Sequence, residues 1–484
     1  MRKIIAAINI FVFTLALAVP AAAEDASGVE DVGLVLRLLA GYLKNDAQLQ
    51  ELAVRARLAE IARERAGLEN GFDLTLSSGT MRLYSEPAGN ADGGWVFSVE
   101  PKATLSFPAL NNSGISVSAP VRLEGGGAAG GSIEDVKISL STDIVSSAGK
   151  QRRVNLLRAD RTALEARRAV SKRALSAEKE FYEALRGLYE SAVQALTFEE
   201  DAYTKEIEFA MAQRQGYSTA SVYYRTLQLE AADSHRSASE QRRSLERDTV
   251  EFARDCGIAL GALPQTVPKP DAENLPEFGR EDEKPRFAAI ENAIWNSYIG
   301  ALSRNADGRL TLSAQAGVTA GNTSLGNDTS ADAGLTLDWN GISLSVESQI
   351  PVSGKEKTPA FTFSFTYNLN KQRLAPLSDA EKSLAAESEA LALRTAERDW
   401  EKTVDSMRRE REDILWETKR LYEQYELYRE LSEETDEWFA RGVVTESERR
   451  KAQANTERAR LRLLAADTRT RILFIDWALN FAGD

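Results

Sequence analysis

The chain has 484 residues, with 73 acidic against 60 basic side chains and a formal net charge of −13 at pH 7. This acidic balance argues against nucleic acid as a partner. One cysteine, Cys256, excludes an internal disulfide and a zinc site built from several cysteines, and one histidine, His235, argues against a histidine-dependent catalytic site. With no glycine-rich phosphate loop and no metal-ligand cluster in the sequence, we expect neither an enzyme nor a cofactor.

Residues 1–23 have the pattern of a secretory signal peptide. Arg2 and Lys3 precede an apolar run from Ile4 to Val19, and Ala21-Ala22-Ala23 forms a small-residue cleavage site. A membrane-anchoring helix is the alternative, but the run is short for a membrane span. No other stretch reaches about 18 uninterrupted apolar residues, so we expect secretion without a transmembrane helix.

Residues 24–256 predict a helix, then strands, then a long helical hairpin. Helical spacing runs from Val29 to Glu69, with an interruption at Asn45-Asp46. A period of two follows and predicts up to four strands, with apolar positions at Phe72 to Leu76, Phe97 to Leu105, Ile115 to Leu123 and Val136 to Ile144. Helical spacing then continues from Gly149 to about Cys256 and is broken once, at Gly216.

Residues 257–285 form a linker punctuated by prolines, and residues 286–484 repeat the order of the first segment. A shorter helix is predicted at Arg286 to Arg304. Four strands follow, with apolar positions at Leu310 to Val318, Leu335 to Trp339, Ile342 to Ile350 and Phe361 to Leu369. From Leu377 to Phe481 the spacing is helical again and turns once, at Gly442. The two segments therefore predict two structural repeats.

The two turns of the helical hairpins share a residue pattern. Three pairs of residues align between them: Gly216 with Gly442, Thr219 with Thr445, and Ser221 with Ser447. Gly442 permits a left-handed backbone at the end of a helix. Thr445 and Glu448 have the spacing of a capping box that starts the next helix. A tip that occurs twice favours a duplicated chain.

In its order of elements and in these tips, the chain resembles the TolC family of bacterial outer-membrane efflux channels. The family's first helix and its strand of alternating Leu and Ser have counterparts in Asn45 to Leu49 and Leu74 to Gly79, although the family's proline is absent. The best match is the tip from Arg441 to Ser447 with its return run, Ala452 to Ala482. The resemblance covers nearly all of the chain after residue 23.

The resemblance implies an α+β membrane protein with duplicated half-repeats. Its long antiparallel helical hairpins would form an α-helical periplasmic barrel, and its antiparallel strands would contribute to a trimeric outer-membrane β-barrel. The implied function is the outer-membrane channel of a tripartite efflux or type I secretion system, a passive conduit from the periplasm to the exterior. The implied partners are the other copies of a homotrimer, a periplasmic adaptor, an inner-membrane pump and outer-membrane lipid.

The resemblance also implies roles for the tip residues. Gly216, Thr219, Ser221, Gly442, Thr445 and Ser447 would dock the adaptor and gate the channel, whereas the alternative is that they only turn and cap helices. Family members place acidic residues just after the tip, where they narrow the pore entrance. Glu448 is the one candidate here, because Lys451, Val222 and Arg225 occupy the comparable positions. The chain also has up to four predicted strands per half, where the family has two.

Two other classes of protein are alternatives. A periplasmic adaptor or scaffold without a pore also combines a helical hairpin with β segments, but it is expected to have one of each, and this sequence has two. A secreted coiled-coil structural protein would lack the alternating strands found in both halves.

Overall fold

The structure is a computed structural model that describes residues 26–79, 81–86, 94–107, 112–125, 130–133, 135–268, 278–306, 310–323, 326–353 and 358–481. The predicted signal peptide lies outside these residues, as do residues 269–277 of the predicted linker. The described chain divides into two compact units. The helical unit contains residues of 26–54, 167–290 and 397–481, and the sheet unit contains residues of 55–166 and 291–396. Each unit takes segments from both predicted repeats.

The described residues form seven α-helices: α1 Ala26–Asn45, α2 Ala47–Glu69, α3 Ala148–Arg214, α4 Val222–Cys256, α5 Ala288–Ala306, α6 Leu369–Ala440 and α7 Glu446–Leu479. The predicted interruption at Asn45-Asp46 separates α1 from α2, and the Asp46 carboxylate accepts a hydrogen bond of 2.8 Å from the Leu49 backbone N–H. α6 begins before the predicted Leu377, because Pro376 is accommodated inside the helix. Among the described helices, none has an apolar stretch suited to spanning a membrane.

The described strands belong to the sheet unit and pair only antiparallel. Their bounds are β1 Asp73–Ser77, β2 Met81–Glu86, β3 Gly94–Val99, β4 Lys102–Phe107, β5 Ser113–Ser118, β6 Val121–Gly125, β7 Gly130–Ile133, β8 Val136–Val145, β9 Leu310–Thr323, β10 Gly326–Trp339, β11 Ile342–Ser353 and β12 Ala360–Tyr367. One sheet has eight strands in the order β1-β4-β5-β8-β9-β10-β11-β12, and the other has four in the order β2-β3-β6-β7.

Two of the four strands predicted in the first half, Phe97 to Leu105 and Ile115 to Leu123, are each broken into two segments that join different sheets. The other two correspond to β1 and β8, whereas β2 and β7 of the four-stranded sheet were not predicted. The chain passes between the two sheets at four places that lie side by side, at Ser78-Gly79, Glu100-Pro101, Ala119-Pro120 and before Val136. Two of them contain a proline, which has no N–H to donate to a β ladder. Gly79 has a φ of +65°, and a Cβ there would overlap the carbonyl oxygen of Glu100. Proline and glycine thus form a crease between the two sheets.

The helical unit is held together by a core that joins both predicted repeats. Phe181 of α3 is fully buried, and its ring centroid lies 5.2–5.8 Å from those of Tyr42, Tyr182 and Phe252. Further buried side chains in this core come from α1, α3 and α7: Val35, Leu38, Leu185, Tyr189, Leu461, Leu464 and Ile472. Burying several large apolar side chains together is the main favourable contribution to folding. The segment after α4 joins the same core through Val267.

The described ends of the predicted linker pack into the helical unit. The Tyr189 hydroxyl donates a hydrogen bond of 2.9 Å to the Pro264 carbonyl oxygen. Phe278 is buried with its ring centroid 4.7 Å from that of Trp477 of α7. Just beyond the predicted linker, the Ala288 N–H donates to the Asn480 carbonyl oxygen at 2.9 Å. These parts of the linker are therefore structural elements of the helical unit.

Candidate functional site

Both hairpin tips end their first helix with the same backbone geometry. Gly216 and Gly442 each have a φ of +74°, the left-handed conformation that glycine adopts without strain. At the second tip the Gly442 N–H donates to the Phe439 carbonyl and the Val443 N–H donates to the Trp438 carbonyl, both at 2.9 Å. Gly216 and the residue after it make the equivalent pair of bonds. This pattern is a Schellman motif, so the two glycines are structural equivalents.

The second helix of each hairpin starts differently, and the sequence alignment of the tips does not extend to the caps. At the second tip Thr445 is the N-cap of α7, as its spacing predicts. At the first tip Ser221, not Thr219, caps α4, and its Oγ accepts from the Tyr224 N–H at 3.2 Å. The first tip therefore has more residues between its glycine and its N-cap than the second tip has. Thr219 instead uses its backbone oxygen, which accepts from the Arg225 guanidinium at 3.3 Å.

Glu448 completes the predicted capping box at the second tip. Its Oε2 accepts from the Thr445 N–H at 2.7 Å and from the Thr445 hydroxyl at 2.9 Å. These hydrogen bonds favour the charged carboxylate and lower the pKa of Glu448. Because the folded-state pKa is depressed, this stabilisation is present at neutral pH and is lost as the pH falls through the lowered pKa. One oxygen of this carboxylate is thus engaged in holding the start of α7.

We expect Thr445→Ala to loosen the first turn of α7, because the substitution leaves the Glu448 N–H without its side-chain acceptor. The cost of such a lost cap is about 1 kcal/mol. Hydrogen exchange of peptides from the start of α7 measures it. Ser447→Ala is the matched control, since its hydroxyl makes no hydrogen bond with other described residues. Equal exchange in the two variants would contradict the capping role.

Exposed apolar side chains surround both glycine turns. At the first tip Val222 is 82% exposed. Tyr217 and Tyr223 are also exposed, and their ring centroids lie 5.0 Å apart. At the second tip Val443 is 71% exposed and Trp438 is also exposed. An exposed apolar cluster on a described surface is a common mark of a protein interface. The sequence pattern indicated the glycines and caps, but these neighbouring side chains lack a motif and were not predicted.

Side-chain contacts between α3 and α7 join the two hairpins within the helical unit. The Arg450 guanidinium of α7 lies 4.2 Å from the centroid of the Tyr203 ring of α3. Further along, Arg458 forms an ion pair with Glu200, and both side chains are mostly buried. Further along α7 from the tip, a guanidinium nitrogen of Arg471 lies 2.7 Å from a carboxylate oxygen of Glu178. Charged contacts therefore join α3 to α7 over the part of α3 from Glu178 to Tyr203.

The eight-stranded sheet has one apolar face and one polar face. Its registers place apolar side chains from every strand on one side, among them Leu74, Leu105, Ile115, Leu140, Ala316, Ala333, Leu344 and Phe363. Many of them are exposed, and Phe363 of β12 is 70% exposed. On the other side, hydroxyl groups pair across the strands, as in Ser116 with Ser139 and Ser345 with Ser364, both at 2.7 Å.

The eight-stranded sheet ends in two open edges. β1 pairs only with β4, and β12 pairs only with β11, among the strands described. Each edge strand therefore presents unpaired backbone N–H and C=O groups on its outer side. The two edge strands run in opposite directions, because the sheet is antiparallel and has an even number of strands.

Within the described residues, no group of three or more His, Cys, Asp or Glu side chains has the geometry of a metal site. Cys256 is buried, and this burial raises the pKa of its thiol to about 12. The hairpin tips and the two-faced sheet are therefore the candidate functional features.

Two sequence profiles of one family match most of the chain. The TP096X N-terminal domain matches residues 38–276, and the TP096X C-terminal domain matches residues 280–484. The chain belongs to the TP096X family. No curated protein matches this TP096X chain.

Solved structures with a similar backbone are outer-membrane channels. The outer-membrane channel OprN is 13% identical to this TP096X chain, with a TM-score of 0.50, and the match covers 96% of this chain and 94% of OprN. The MtrE outer membrane channel of Neisseria gonorrhoeae is 12% identical over 96% of this chain and 94% of its own, with a TM-score of 0.47. The CmeC outer membrane channel of Campylobacter jejuni is 11% identical over 94% of this chain and 86% of its own, with a TM-score of 0.44. The likeness to OprN confirms the predicted TolC-like resemblance at the level of the fold.

Proposed function

We propose that the chain is the outer-membrane channel of a tripartite efflux or type I secretion system. It would be a passive conduit for small molecules or proteins from the periplasm to the exterior. The observation that carries this proposal is the eight-stranded sheet, whose apolar face has exposed side chains on each of its strands except β4, while its other face is polar. Such a sheet suits contact with lipid on one side and with water on the other.

The sheet edges support assembly with further copies of the chain. In lipid, unpaired backbone groups are strongly disfavoured, so an open sheet must be closed. We propose a homotrimer in which β12 of one copy pairs with β1 of the next, and each copy contributes eight strands to one outer-membrane barrel. The opposite directions of β1 and β12 permit antiparallel pairing. This arrangement exceeds the two strands per half that the TolC family implies.

In the same proposal the helical hairpins lie in the periplasm, and their tips dock a periplasmic adaptor that joins the channel to an inner-membrane pump. Gly216, Thr219, Ser221, Gly442, Thr445 and Ser447 remain the proposed docking and gating residues. Their support is the duplicated Schellman turn and the exposed apolar side chains beside it. Ser221 and Thr445 also serve as caps, so they would position the docking surface as well as contribute to it.

Glu448 is a weaker candidate for the pore entrance than the sequence suggested. Its carboxylate is exposed, but it accepts two hydrogen bonds from Thr445. We propose that its main role is to order the tip, and that any electrostatic effect on cargo is secondary.

Planar-bilayer recording on the purified protein, together with the mass of the detergent-solubilised assembly, tests the proposal. We expect discrete conductance steps from a particle with the protein mass of three chains. A monomeric particle that inserts without forming pores would show that the chain is not a channel. Heat-denatured protein at the same concentration is the control for detergent artefacts.

A further inference from the structure

An exposed apolar stripe runs along the part of α2 that leads to the sheet. Leu58, Ile61 and Leu68 lie on one side of the helix, and each is between 49% and 79% exposed. Ala56, on the opposite side, is buried. A helix that borders water has its large apolar side chains inward, so the reversed order marks the outward side as a contact surface. Residues 55–68 are called the α2 stripe below.

α6 has a matching stripe where it leaves the sheet. Leu377, Leu384 and Leu391 recur every seven residues, are 53% to 64% exposed, and bound the segment called the α6 stripe below. The opposite side of this part of α6 is engaged within the chain, because Arg304 of α5 donates to the Glu389 carboxylate at 2.6 Å. Apolar side chains at this spacing form the seam between paired helices.

The positions of the two helices on the sheet indicate the partner. α2 ends just before β1, and α6 starts just after β12. Because β1 and β12 are the opposite edges of the eight-stranded sheet, the two stripes belong to different edges of one copy. When β12 of one copy pairs with β1 of the next, α6 of the first and α2 of the second leave the shared ladder at the same end. One helix runs toward the sheet and the other away from it, so they are antiparallel.

One antiparallel register aligns the two stripes. It places Leu68 opposite Leu377 and Ile61 opposite Leu384, since each helix has seven residues between its two apolar positions. Equal spacing keeps the side chains in step, because both helices rise by the same distance per residue. The leucines of α6 can therefore enter the spaces between the apolar side chains of α2.

Charges beside the apolar positions are also complementary. The α2 stripe contains four arginines and two glutamates, whereas the α6 stripe contains four acidic side chains and one lysine. The same register brings Arg65 beside Glu381 on one flank of the seam and Arg57 beside Glu387 on the other. All four side chains are exposed. Opposite charges on the flanks of a helix pair favour one partner and one orientation.

We propose that the α2 stripe of one copy packs against the α6 stripe of the next copy, as an antiparallel helical seam that continues the β1–β12 ladder. The partner of both stripes is thus a second copy of this chain. Each copy offers one stripe to each of its two neighbours, so a closed ring leaves neither stripe exposed. This inference rests on the homotrimer of the proposed function.

Disulfide crosslinking of the full-length protein, solubilised in detergent, tests the seam. We expect Ile61→Cys combined with Leu384→Cys to yield crosslinked dimers and trimers on oxidation. Ile61→Cys combined with Ala386→Cys is the matched control, because Ala386 is exposed on the other side of α6 and should leave monomers. Monomers from the first pair, or equal crosslinking of the two pairs, would overturn the seam.

Exchange of the flanking charges gives a second measurement. Arg65→Glu and Glu381→Arg should each lower the trimeric fraction on dilution, by about threefold per contact, because like charges then face each other. The double variant Arg65→Glu/Glu381→Arg should recover most of the trimer. Both residues are exposed, so the helical circular dichroism of the single variants should match that of the wild type. A double variant no better than the single ones would contradict the register.

Bilayer conductance of the same preparations separates the seam from the proposed function. Trimers that form pores but do not crosslink between Ile61→Cys and Leu384→Cys contradict only the seam. Crosslinked trimers that form no pores contradict only the channel.

Discussion

We expect Leu140→Arg to prevent assembly of the protein in the outer membrane. Leu140 lies in the middle of β8 on the apolar face, it is 48% exposed, and its neighbours across the ladders are Ile115 and Ala316. An arginine on the lipid side of a membrane strand costs roughly 2–4 kcal/mol near the bilayer midplane. In a bacterial host, the fraction of the protein recovered in the outer membrane measures the effect.

The matched control for this prediction is Ser141→Arg. Ser141 follows Leu140 directly, so its side chain lies on the polar face, beside Gln315 and Gly114. The same charge should therefore be tolerated there, with outer-membrane recovery close to that of the wild type. If both variants assembled normally, the apolar face would not be in contact with lipid, and the proposed orientation of the sheet would be wrong.

The second large effect is expected at the ion pair between α3 and α7. Glu178 is nearly buried, with 9% of its side chain exposed, and the Arg471 guanidinium lies 2.7 Å from its carboxylate. The Arg471→Met variant leaves this carboxylate without its cation in a desolvated position. Removing one partner of a buried pair destabilises by about 3 kcal/mol. The urea dependence of the helical circular dichroism signal should shift to lower urea accordingly.

Two comparisons make this prediction specific. In the double variant Glu178→Leu/Arg471→Met, both charges are replaced by apolar groups, so much of the lost stability should return. Arg236→Met removes an exposed ion pair with Asp233 on α4 and should change stability by about 0–1 kcal/mol. A double variant as unstable as Arg471→Met would show that packing, and not charge pairing, causes the loss.

The strands show how far sequence patterns reach. Alternation correctly predicted apolar and polar faces and four extended runs in each half of the chain. It missed β2 and β7, and it did not reveal that two of the first-half runs are broken, because side chains on both sides of Pro101 keep the same alternation. The missing proline N–H interrupts the ladder without disturbing the pattern, and pairing depends on contacts far apart in the sequence. The crease between the two sheets therefore could not be predicted from the sequence.

At the tips, too, the features set by neighbouring residues in the sequence were predicted, and those set by packing between helices were not. Gly442, Thr445 and Glu448 were predicted as a turn and a capping box, because each depends on neighbours within a few residues. The alignment of Thr219 with Thr445 was misleading as a guide to the first cap, since Ser221 starts α4 two residues later. Exposure of Tyr217 and Val222 follows from helix packing and lacks a local signal.

Closure of the sheet by neighbouring copies is most directly tested by disulfide crosslinking between β1 and β12. Ser77→Cys is combined in turn with Thr362→Cys, Ser364→Cys or Thr366→Cys, all of which lie on the polar face. Native Cys256 is buried, so it should not interfere. We expect one of these pairs to yield crosslinked dimers and trimers under oxidation, while Ser77→Cys with Phe363→Cys, on opposite faces, yields none. Monomers from all three same-face pairs would contradict the account.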